Sequence, residues 1–190
     1  MPLNKLPYPT LDALIKKNIV HDEDLKTLQA IRLLSTVKKR GWLRKEELIA
    51  VCYWKAPRAI RLVESNHPLT VKRITQSAFT TKSEEDRMYF LLQLRGVSVP
   101  MASAILMLTD PKRYGVIDIR VWEILCETGD VTTNKKGINF KFEEWHQVLV
   151  ILRQYSKKLK VSARTIERTI FQVHKKHQDG LLYKNINVKK

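Results

Sequence analysis

The sequence is poor in glycine and cysteine. Of its 190 residues, 6 are glycine and 2 are cysteine, and apolar residues recur mainly at spacings of three and four, which indicates a mostly helical chain. Cys52 and Cys126 lie among apolar neighbours, as buried free thiols do and as members of a disulfide framework do not. No Cys-x-x-Cys pair or cysteine–histidine cluster is present, so we expect neither a zinc site nor an iron–sulfur cluster.

Long hydrophobic runs are also missing. The longest apolar run, at residues 102–108, is far shorter than the ~20 residues that a membrane span needs. The N-terminal residues contain no apolar stretch typical of a secretion signal. We therefore expect a soluble intracellular protein, cytoplasmic or in the nucleoid or nucleus, that is not secreted and has no membrane partner.

The sequence carries a large excess of positive charge. Lysine and arginine number 35 against 19 acidic residues, a formal net charge of +16, and 44% of the residues are hydrophobic. A folded, basic protein of this kind favours a polyanionic partner, with nucleic acid ahead of a membrane surface. The alternative is a basic surface without a function.

The apolar spacing predicts a single all-α domain over residues 1–190, which is a usual length for one domain. Predicted helices cover residues 22–40, closed by Gly41, a segment from Arg44, a short segment from Pro57, residues 83–94, residues 99–110, a segment after Asp118, and two more helices, the last behind Ser162. Residues 69–82 are polar and poorly periodic, residues 129–141 read as a loop, and residues 180–190 as a loosely held tail.

A helical hairpin is predicted around residues 94–106, which read LRGVSVPMASAIL. Gly96 provides the turn, Ser98 can cap the second helix, and Pro100 fits the first turn of that helix. Free amides at such a helix start form a phosphate site, so we predict DNA contacts at the turn. The predicted contacts are Gly96, Val97, Ser98, Val99 and Met101. Hairpins of this kind also serve purely structural roles.

A carboxylate closes the next apolar run, residues 114–122, which read YGVIDIRVW. Asp118 follows Pro100 by 18 residues. Together the two segments, within residues 87–129, resemble the helix-hairpin-helix DNA glycosylase superfamily. The matching residues are Leu94, Gly96, Val97, Ala102, Ile105, Leu106, Gly115, Asp118 and Trp122.

The resemblance implies an all-α, helix-hairpin-helix glycosylase-like fold with a cleft beside the hairpin and double-stranded, damaged DNA as the partner. Asp118 would stabilise the positive charge that develops on the deoxyribose and help to position the attacking water. The resemblance also implies a monovalent cation held by the backbone carbonyls of Leu94, Gly96 and Val97. Apart from the resemblance, Asp118 can simply cap the helix that follows it.

Three positions depart from the family pattern. Pro100 stands where bifunctional members have the lysine that attacks the sugar, Ser98 replaces the second glycine of the turn, and Val116 replaces a proline. The resemblance then implies monofunctional hydrolysis of the N-glycosidic bond without strand cleavage, unless another lysine such as Lys112 or Lys135 reaches the site. Two alternatives are a non-enzymatic helix-hairpin-helix DNA-binding protein and a helical domain that binds RNA or protein.

Further candidate contacts lie outside the hairpin. Tyr53 and Trp54 precede the cations Lys55 and Arg58, a pattern that places base stacking beside phosphate binding. Trp122 is a third candidate for the base pocket or for a wedge that fills the gap left by a flipped base. Arg164 and Arg168, with Lys175, share one face of the last helix and predict a DNA backbone track. The alternatives are core aromatics and a solvated helix face.

Overall fold

The computed structural model describes residues 5–178, and within this range it contains eleven α-helices and no β-strand, which confirms the predicted all-α class. The helices are α1 Leu11–Asn18, α2 Leu25–Leu33, α3 Val37–Arg40, α4 Lys45–Lys55, α5 Ile60–Glu64, α6 Pro68–Thr80, α7 Glu84–Leu92, α8 Val99–Thr109, α9 Ile119–Glu127, α10 Phe142–Leu159 and α11 Ala163–His177, and a short 3₁₀ turn covers Pro57–Ala59. The predicted tail at residues 180–190 lies outside the described range.

Short polar side chains start several of the helices. The side-chain oxygens of Asp24, Ser83 and Ser162 accept the backbone N–H three residues further on, at the starts of α2, α7 and α11. Each cap satisfies an amide that has no partner within the helix. The predicted starts at Ser83 and Ser162 are therefore confirmed.

The predicted helix over residues 22–40 is two helices, α2 and α3. Ser35 N–H donates to Arg32 O, and Val37 N–H donates to Leu34 O, so the chain between the helices is tightened by bonds that span three residues instead of four. This tightening places both Leu34 and Val37 in the core, whereas Leu25, the first residue of α2, is 78% exposed.

Residues 69–82, which lack a clear apolar period, form most of α6. Pro68 occupies the first turn of this helix, and the side chain of His67 accepts the N–H of Leu69. The buried face carries Val71 and Thr75. Thr75 Oγ1 donates to Val71 O and accepts Leu43 N–H, so a polar residue is satisfied inside the core. A polar residue on the inward face hid the helical period from the sequence pattern.

The second helix of the hairpin, α8, lies at the centre of the fold. Nearly all of its side chains are buried, and it packs against α2, α4, α7 and α10, while α11 packs against α1, α9 and α10. The start of α8, the end of α4 and one side of α11 line the same cleft. Within residues 5–178, no helix has both the length and the apolar character required to cross a membrane.

Candidate active-site cleft

The hairpin turn depends on Gly96. Its φ of +78° is a left-handed conformation that favours glycine. A Cβ at this position would lie 2.9 Å from Val63 Cγ2, so the turn also requires close backbone approach to α5. Ser98 has φ −95°, which any residue adopts, and serine in place of the second glycine therefore introduces no left-handed strain.

Asn66 holds the hairpin turn from the side of α5. Its Oδ1 accepts Arg95 N–H at 2.9 Å, and its Nδ2 donates to Arg95 O at 2.9 Å and to Val63 O at 2.9 Å. The side chain is 5% exposed. The local sequence does not predict this role, because an asparagine shortly before a proline is also typical of a plain helix end.

The start of α8 offers unpaired amides. Within residues 5–178, the backbone N–H groups of Gly96, Ser98, Val99 and Met101 have no hydrogen-bond partner, and the Ser98 hydroxyl makes no cap bond. The first N–H groups of a helix attract anions because they are partly positive and unsatisfied. Ser98 is exposed and Gly96 partly so, whereas Val99 and Met101 are buried, so an anion would contact the backbone of Val99 and Met101 and not their side chains. Val97, the remaining predicted contact, is buried, and its N–H already donates to Leu94 O.

The expected monovalent cation would use carbonyl oxygens of the same turn. Leu94 O already accepts Val97 N–H at 3.1 Å. The carbonyls of Gly96 and Val97 accept no hydrogen bond from residues 5–178. The carbonyls of Gly96 and Val97 therefore keep both lone pairs unused within residues 5–178, whereas Leu94 O keeps only one; the cation itself stays a prediction.

Asp118 lines a cleft beside the hairpin. It is the N-cap of α9, and its Oδ1 accepts Val121 N–H at 3.1 Å. Its Oδ2 lies 3.6 Å from Nζ of Lys55, the last residue of α4. The side chain of Asp118 is 19% exposed. The carboxylate is therefore both a helix cap and a charge that solvent or a ligand in the cleft can reach.

The segment before Asp118 is anchored on both sides. On the hairpin side, Ser103 Oγ accepts Ile117 N–H at 3.2 Å and donates to Pro100 O at 2.8 Å. On the α11 side, the Glu167 carboxylate accepts the backbone N–H of Val116, and burial raises the pKa of Glu167. These bonds fix the position of Asp118 relative to both helices.

Gly115 permits this anchoring. A Cβ at Gly115 would lie 2.5 Å from Leu152 Cδ1 and 2.7 Å from Glu167 Cβ. Such distances do not occur between real atoms without a shift of one partner. The glycine therefore lets the segment lie against α10 and α11, and its match to the family pattern has a packing reason in this chain.

The cleft has a volume of about 770 Å³, within the range of about 300–1,000 Å³ usual for small-molecule sites. It is bounded by the start of α2, the end of α4, the start of α8, residues 116–120, residues 137–140 and one side of α11. The side chains that carry charge into it are Asp24, Lys55, Arg58, Asp118, Arg120, Arg164, Glu167, Arg168 and Lys175. Six cations and three carboxylates give a formal balance of +3.

Three aromatic side chains line the cleft. Trp54 was predicted as a base-pocket candidate, and its Nε1 donates to Thr27 Oγ1 at 3.1 Å. Phe140 and Phe171 were missed. Phe171 follows Arg164 by seven residues on the same helix, so helical periodicity alone could have placed it on the cleft face. No local signal points to Phe140, because it lies in a loop.

Two of the predicted aromatic contacts are elsewhere. Trp122 has 0% exposure and donates its Nε1–H to Asn134 O at 2.9 Å, so it packs in the core and offers no face to a base. This corrects the prediction of a pocket or wedge role. Tyr53 is 54% exposed but is not part of the cleft lining. It lies two residues before Lys55 on α4 and therefore on a different face of the helix.

Arg164 and Arg168 do line the cleft, but the expectation of an exposed cationic track is wrong. Arg164 pairs with Glu23 at 2.7 Å and with Glu167, and Arg168 pairs with Glu23 at 2.8 Å and with Asp24 at 3.2 Å. Their side chains are only 11% and 10% exposed. Burial acts to lower the pKa of Arg164, but the carboxylates of Glu167 and Glu23 raise it. Both guanidinium groups hold the chain before α2 against α11.

Other cations remain available to a ligand. Within residues 5–178, Arg58, Arg120 and Lys175 line the cleft without an ion pair, and Arg120 lies over the ring of Phe171 at 5.2 Å. The Nε of Arg120 is buried without a hydrogen-bond partner. Lys112 and Lys135, the lysines considered as replacements for the missing nucleophile, are exposed and lie outside the lining.

Comparison of the chain with protein-family models, curated proteins and solved structures found no match. Among residues 5–178, no group of three or more histidine, cysteine or acidic side chains is arranged to hold a metal ion. The function is therefore inferred from the hairpin, Asp118 and the cleft between them.

Proposed function

We propose that this protein is an intracellular, monofunctional DNA glycosylase of the base-excision-repair type that binds damaged duplex DNA. The observation that carries the proposal is the position of Asp118. Its carboxylate lies in a cleft whose opposite edge is the start of α8, where the unpaired hairpin amides are found. The helix-hairpin-helix glycosylase resemblance supports the same pairing of hairpin and aspartate.

Asp118 can support hydrolysis of an N-glycosidic bond. As the bond between C1′ and the base breaks, the electron pair leaves with the base, and positive charge develops on the sugar. A fixed carboxylate beside the sugar stabilises that charge, most strongly where water is limited. Water then adds at C1′ and gives up a proton, which the Asp118 carboxylate accepts in this proposal. The Val121 N–H bond and the pairing with Lys55 hold the carboxylate in place before the substrate binds.

The hairpin and the unpaired cations provide the DNA contacts of this proposal. The free amides at Gly96, Ser98 and Val99 suit one backbone phosphate. Arg58 and Lys175 can contact further phosphates, because neither is committed to a carboxylate within residues 5–178. These contacts fix the register of the duplex, while the chemistry acts on a base turned out of the helix.

The cleft can accept such a base. Trp54, Phe140 and Phe171 provide apolar faces for stacking, and stacking between aromatic side chains is the usual way of holding a flipped base. Arg120 adds hydrogen-bond donors beside Phe171. We propose these four residues as the base pocket in place of Trp122.

Hydrolysis by water is the proposed route because the hairpin has no nucleophile. Pro100, at the position of the family lysine, lines the cleft and has no amine to attack C1′. Base release by this protein would therefore leave an abasic site, which alkali converts to a strand break.

The test is an assay on a panel of duplexes that carry alkylated, deaminated or oxidised bases, each treated with alkali after incubation. We expect base release from at least one duplex and its loss in Asp118→Asn. The Lys112→Ala variant, altered at an exposed lysine outside the cleft, serves as the matched control and should retain the activity.

A specific observation favours a second candidate, a non-enzymatic helix-hairpin-helix DNA-binding protein. Asp118 is already engaged as a helix cap and by Lys55, which is a complete structural role. Tight binding to duplex DNA at low salt, with no base released from any duplex of the panel, would establish this candidate and reject the glycosylase.

A further inference from the structure

We infer that a turn at residues 134–139 is a second DNA-binding element of this protein, and that it inserts the side chain of Ile138 between stacked bases. The inference rests on the proposed function only for its partner, duplex DNA, and it requires no chemistry at Asp118. It assigns a DNA contact to a loop outside the hairpin. The wedge role that the buried Trp122 does not fill then belongs to a residue of the cleft lining.

Ile138 is an exposed apolar side chain at the cleft. It is 52% exposed and lines the cleft together with Asn139 and Phe140. Single exposed apolar residues are common on protein surfaces and need no partner. Ile138 differs from such residues because the backbone on both sides of it has an unusual conformation.

Left-handed residues flank Ile138. Gly137 has φ +60° and Asn139 has φ +52°, a conformation that few residues other than glycine and asparagine adopt. Gly137 N–H donates to Asn134 O at 2.9 Å, and Asn134 Nδ2 donates to Ile138 O at 3.0 Å. These two bonds fix the backbone that presents Ile138. Backbone in sparsely populated conformations persists where its surroundings hold it, and it is frequent at functional sites.

The turn is anchored to α9, the helix that Asp118 caps. Trp122 Nε1 donates to Asn134 O at 2.9 Å, and the ring of Phe140 packs edge to face against that of Trp122, with 5.5 Å between the centroids. A Cβ at Gly137 would lie 3.3 Å from Trp122 Cδ1, so the turn lies directly against the helix. Trp122 therefore supports the turn from the core. A side chain on an anchored turn loses little conformational freedom on binding, which favours insertion into DNA.

Two lysines in the turn favour DNA as the partner over an apolar protein surface. Lys135 and Lys136 are both exposed, and neither forms an ion pair with a carboxylate within residues 5–178. They immediately precede Gly137, so free cations lie close in sequence to the exposed isoleucine. Duplex DNA has the matching chemistry, because its phosphates surround a stack of apolar base faces. Isoleucine is among the side chains that proteins insert between base steps, where they unstack the bases and kink the duplex.

Ile138 also lies beside the proposed base pocket. Phe140, two residues further along the chain, is one of the pocket residues, and both side chains line the same cleft. A base drawn into this pocket leaves a gap in the stack, and the side chain of Ile138 occupies that gap. Insertion is therefore expected where a base is missing or turned out, and not in an intact duplex.

The test measures stacking in DNA that has no base to release. The duplex carries a tetrahydrofuran analogue of an abasic site, and the adjacent base is 2-aminopurine, whose fluorescence is quenched by stacking. We expect the full wild-type chain at saturating concentration to raise the fluorescence, because Ile138 unstacks the probe. Ile138→Ala should lose most of the rise and bind this duplex about tenfold more weakly, since an apolar contact is removed. Ile138→Leu, which keeps the apolar volume, should retain both.

Leu69→Ala is the matched control, because Leu69 is 69% exposed on α6 and lies outside the cleft lining. It should equal the wild-type protein in fluorescence and affinity. Ile138→Ala should bind an intact duplex as the wild-type protein does, since insertion requires a gap. Thermal unfolding, measured for every variant, should be close to that of wild type, because each substitution is at an exposed residue.

The lysines of the turn have a separate measurement. With both side chains on phosphates, the double variant Lys135→Gln and Lys136→Gln should make the slope of log affinity against log salt shallower by about 2. Lys112→Gln, altered at an exposed lysine outside the cleft, should leave the slope unchanged. An unchanged slope in the double variant would remove the turn from the DNA interface and overturn the inference.

A fluorescence rise of wild-type size in Ile138→Ala would also overturn the inference, as would a wild-type protein that binds the abasic duplex without a rise or binds no duplex at low salt. These results are distinct from the test of the proposed function, since the probe duplex requires no base release. A rise that depends on Ile138, with no base released from any damaged duplex, supports the inference and the non-enzymatic DNA-binding candidate. Base release together with a rise that does not depend on Ile138 retains the glycosylase and rejects Ile138 as the wedge.

Discussion

Nζ of Lys55 and Oδ2 of Asp118, 3.6 Å apart, connect the C-terminal end of α4 to the N-terminal end of α9. Each charge lies at the helix end that favours its sign. The pair also stands in the cleft beside the hairpin. The structural role and the proposed chemical role of Asp118 therefore coincide, and experiments have to separate them.

Asparagine at position 118 should separate the two roles of Asp118. Asparagine caps a helix about as well as aspartate, so we expect Asp118→Asn to change the free energy of unfolding by less than about 0.5 kcal/mol, whereas Asp118→Ala should cost about 1 kcal/mol. Both should lower base release by about 100-fold or more, because both remove the charge. Urea denaturation and the duplex assay measure the two effects.

The control for this pair is Ser83→Ala, which removes the side-chain cap of α7 at a residue outside the cleft lining. It should lose about 1 kcal/mol of stability and retain base release. Equal base release from Asp118→Asn and the wild-type protein would leave Asp118 with the cap role alone.

Arg168 should matter for stability rather than for DNA affinity. Arg168→Met removes the guanidinium that pairs with the carboxylates of Glu23 and Asp24, and breaking one side of a buried ion pair typically costs about 3–5 kcal/mol. Glu23 is also paired with Arg164, so we expect the lower part of that range, measured by urea denaturation. An Arg168→Met protein as stable as wild type would contradict the structural role of the pairing.

Arg58 should show the opposite behaviour. It is exposed and unpaired within residues 5–178, so Arg58→Ala should leave the free energy of unfolding within about 0.5 kcal/mol of wild type. If Arg58 contacts one phosphate, the slope of log affinity against log salt should become shallower by about 1. An unchanged slope, measured by titration of duplex DNA at several salt concentrations, would exclude a phosphate contact at Arg58.

Asn66→Ala should loosen the hairpin turn. The substitution leaves both the N–H and the carbonyl of Arg95 without their side-chain partner, and we expect a loss of about 2 kcal/mol in unfolding free energy, as for buried groups that lose hydrogen bonds. Ser65→Ala, which removes a hydrogen bond at an exposed neighbouring residue, is the control and should cost much less. Similar losses in the two variants would mean that the clamp contributes little.

Glu84 should make stability depend on acidity. It accepts from Arg153 at 2.7 Å, Arg87 at 2.6 Å and Tyr114 at 3.1 Å. Burial by itself raises the pKa of Glu84, but Arg153 and Arg87 hold it below its ordinary value. The contribution to stability is therefore fully present above the unfolded pKa, near 4.5, and is lost as the pH falls through the lower folded value.

The comparison for this prediction is Glu84→Gln across pH 2 to 7, a range that spans about two units on either side of the unfolded pKa. The variant should be less stable than wild type at neutral pH, and the difference should shrink in acid, as followed by thermal unfolding at each pH. A difference that stays constant over the whole range would show that Glu84 does not act through its charge.

Much of the helical framework follows from local sequence. The caps at Ser83 and Ser162 and the left-handed residue at Gly41 are set by a few neighbouring residues, and local rules describe such ends well. The exceptions are instructive. On α6, the polar Thr75 interrupts the apolar pattern of the inward face. Thr75 can be buried there because its hydroxyl donates to Val71 O and accepts the N–H of Leu43, which is 32 residues away.

The candidate site also contains some residues that local sequence predicts and others that only the fold decides. Gly96 was predicted from the conformation that a tight turn requires, and Asp118 was predicted as a site residue from the resemblance carried by residues 87–129, because the hairpin and the residues that follow it form a local unit. Arg164 and Arg168 carry the same charge and periodicity as a DNA-binding face, yet both form ion pairs with Glu23, which is more than 140 residues away in sequence. The same holds for the aromatic residues: Trp122 is fully buried in the core, whereas Phe171 lines the cleft, and only the fold decides between the two.

The sequence by itself determined an all-α chain, a glycine-dependent hairpin and a carboxylate placed to begin the helix beyond it, since propensity, capping and turn conformation act over a few residues. Only the tertiary structure decided which charges face one another. In the fold, Lys55 lies beside Asp118, and Arg164 and Arg168 form internal ion pairs. Electrostatic contacts depend on distance through space and on burial, and a one-dimensional pattern contains neither.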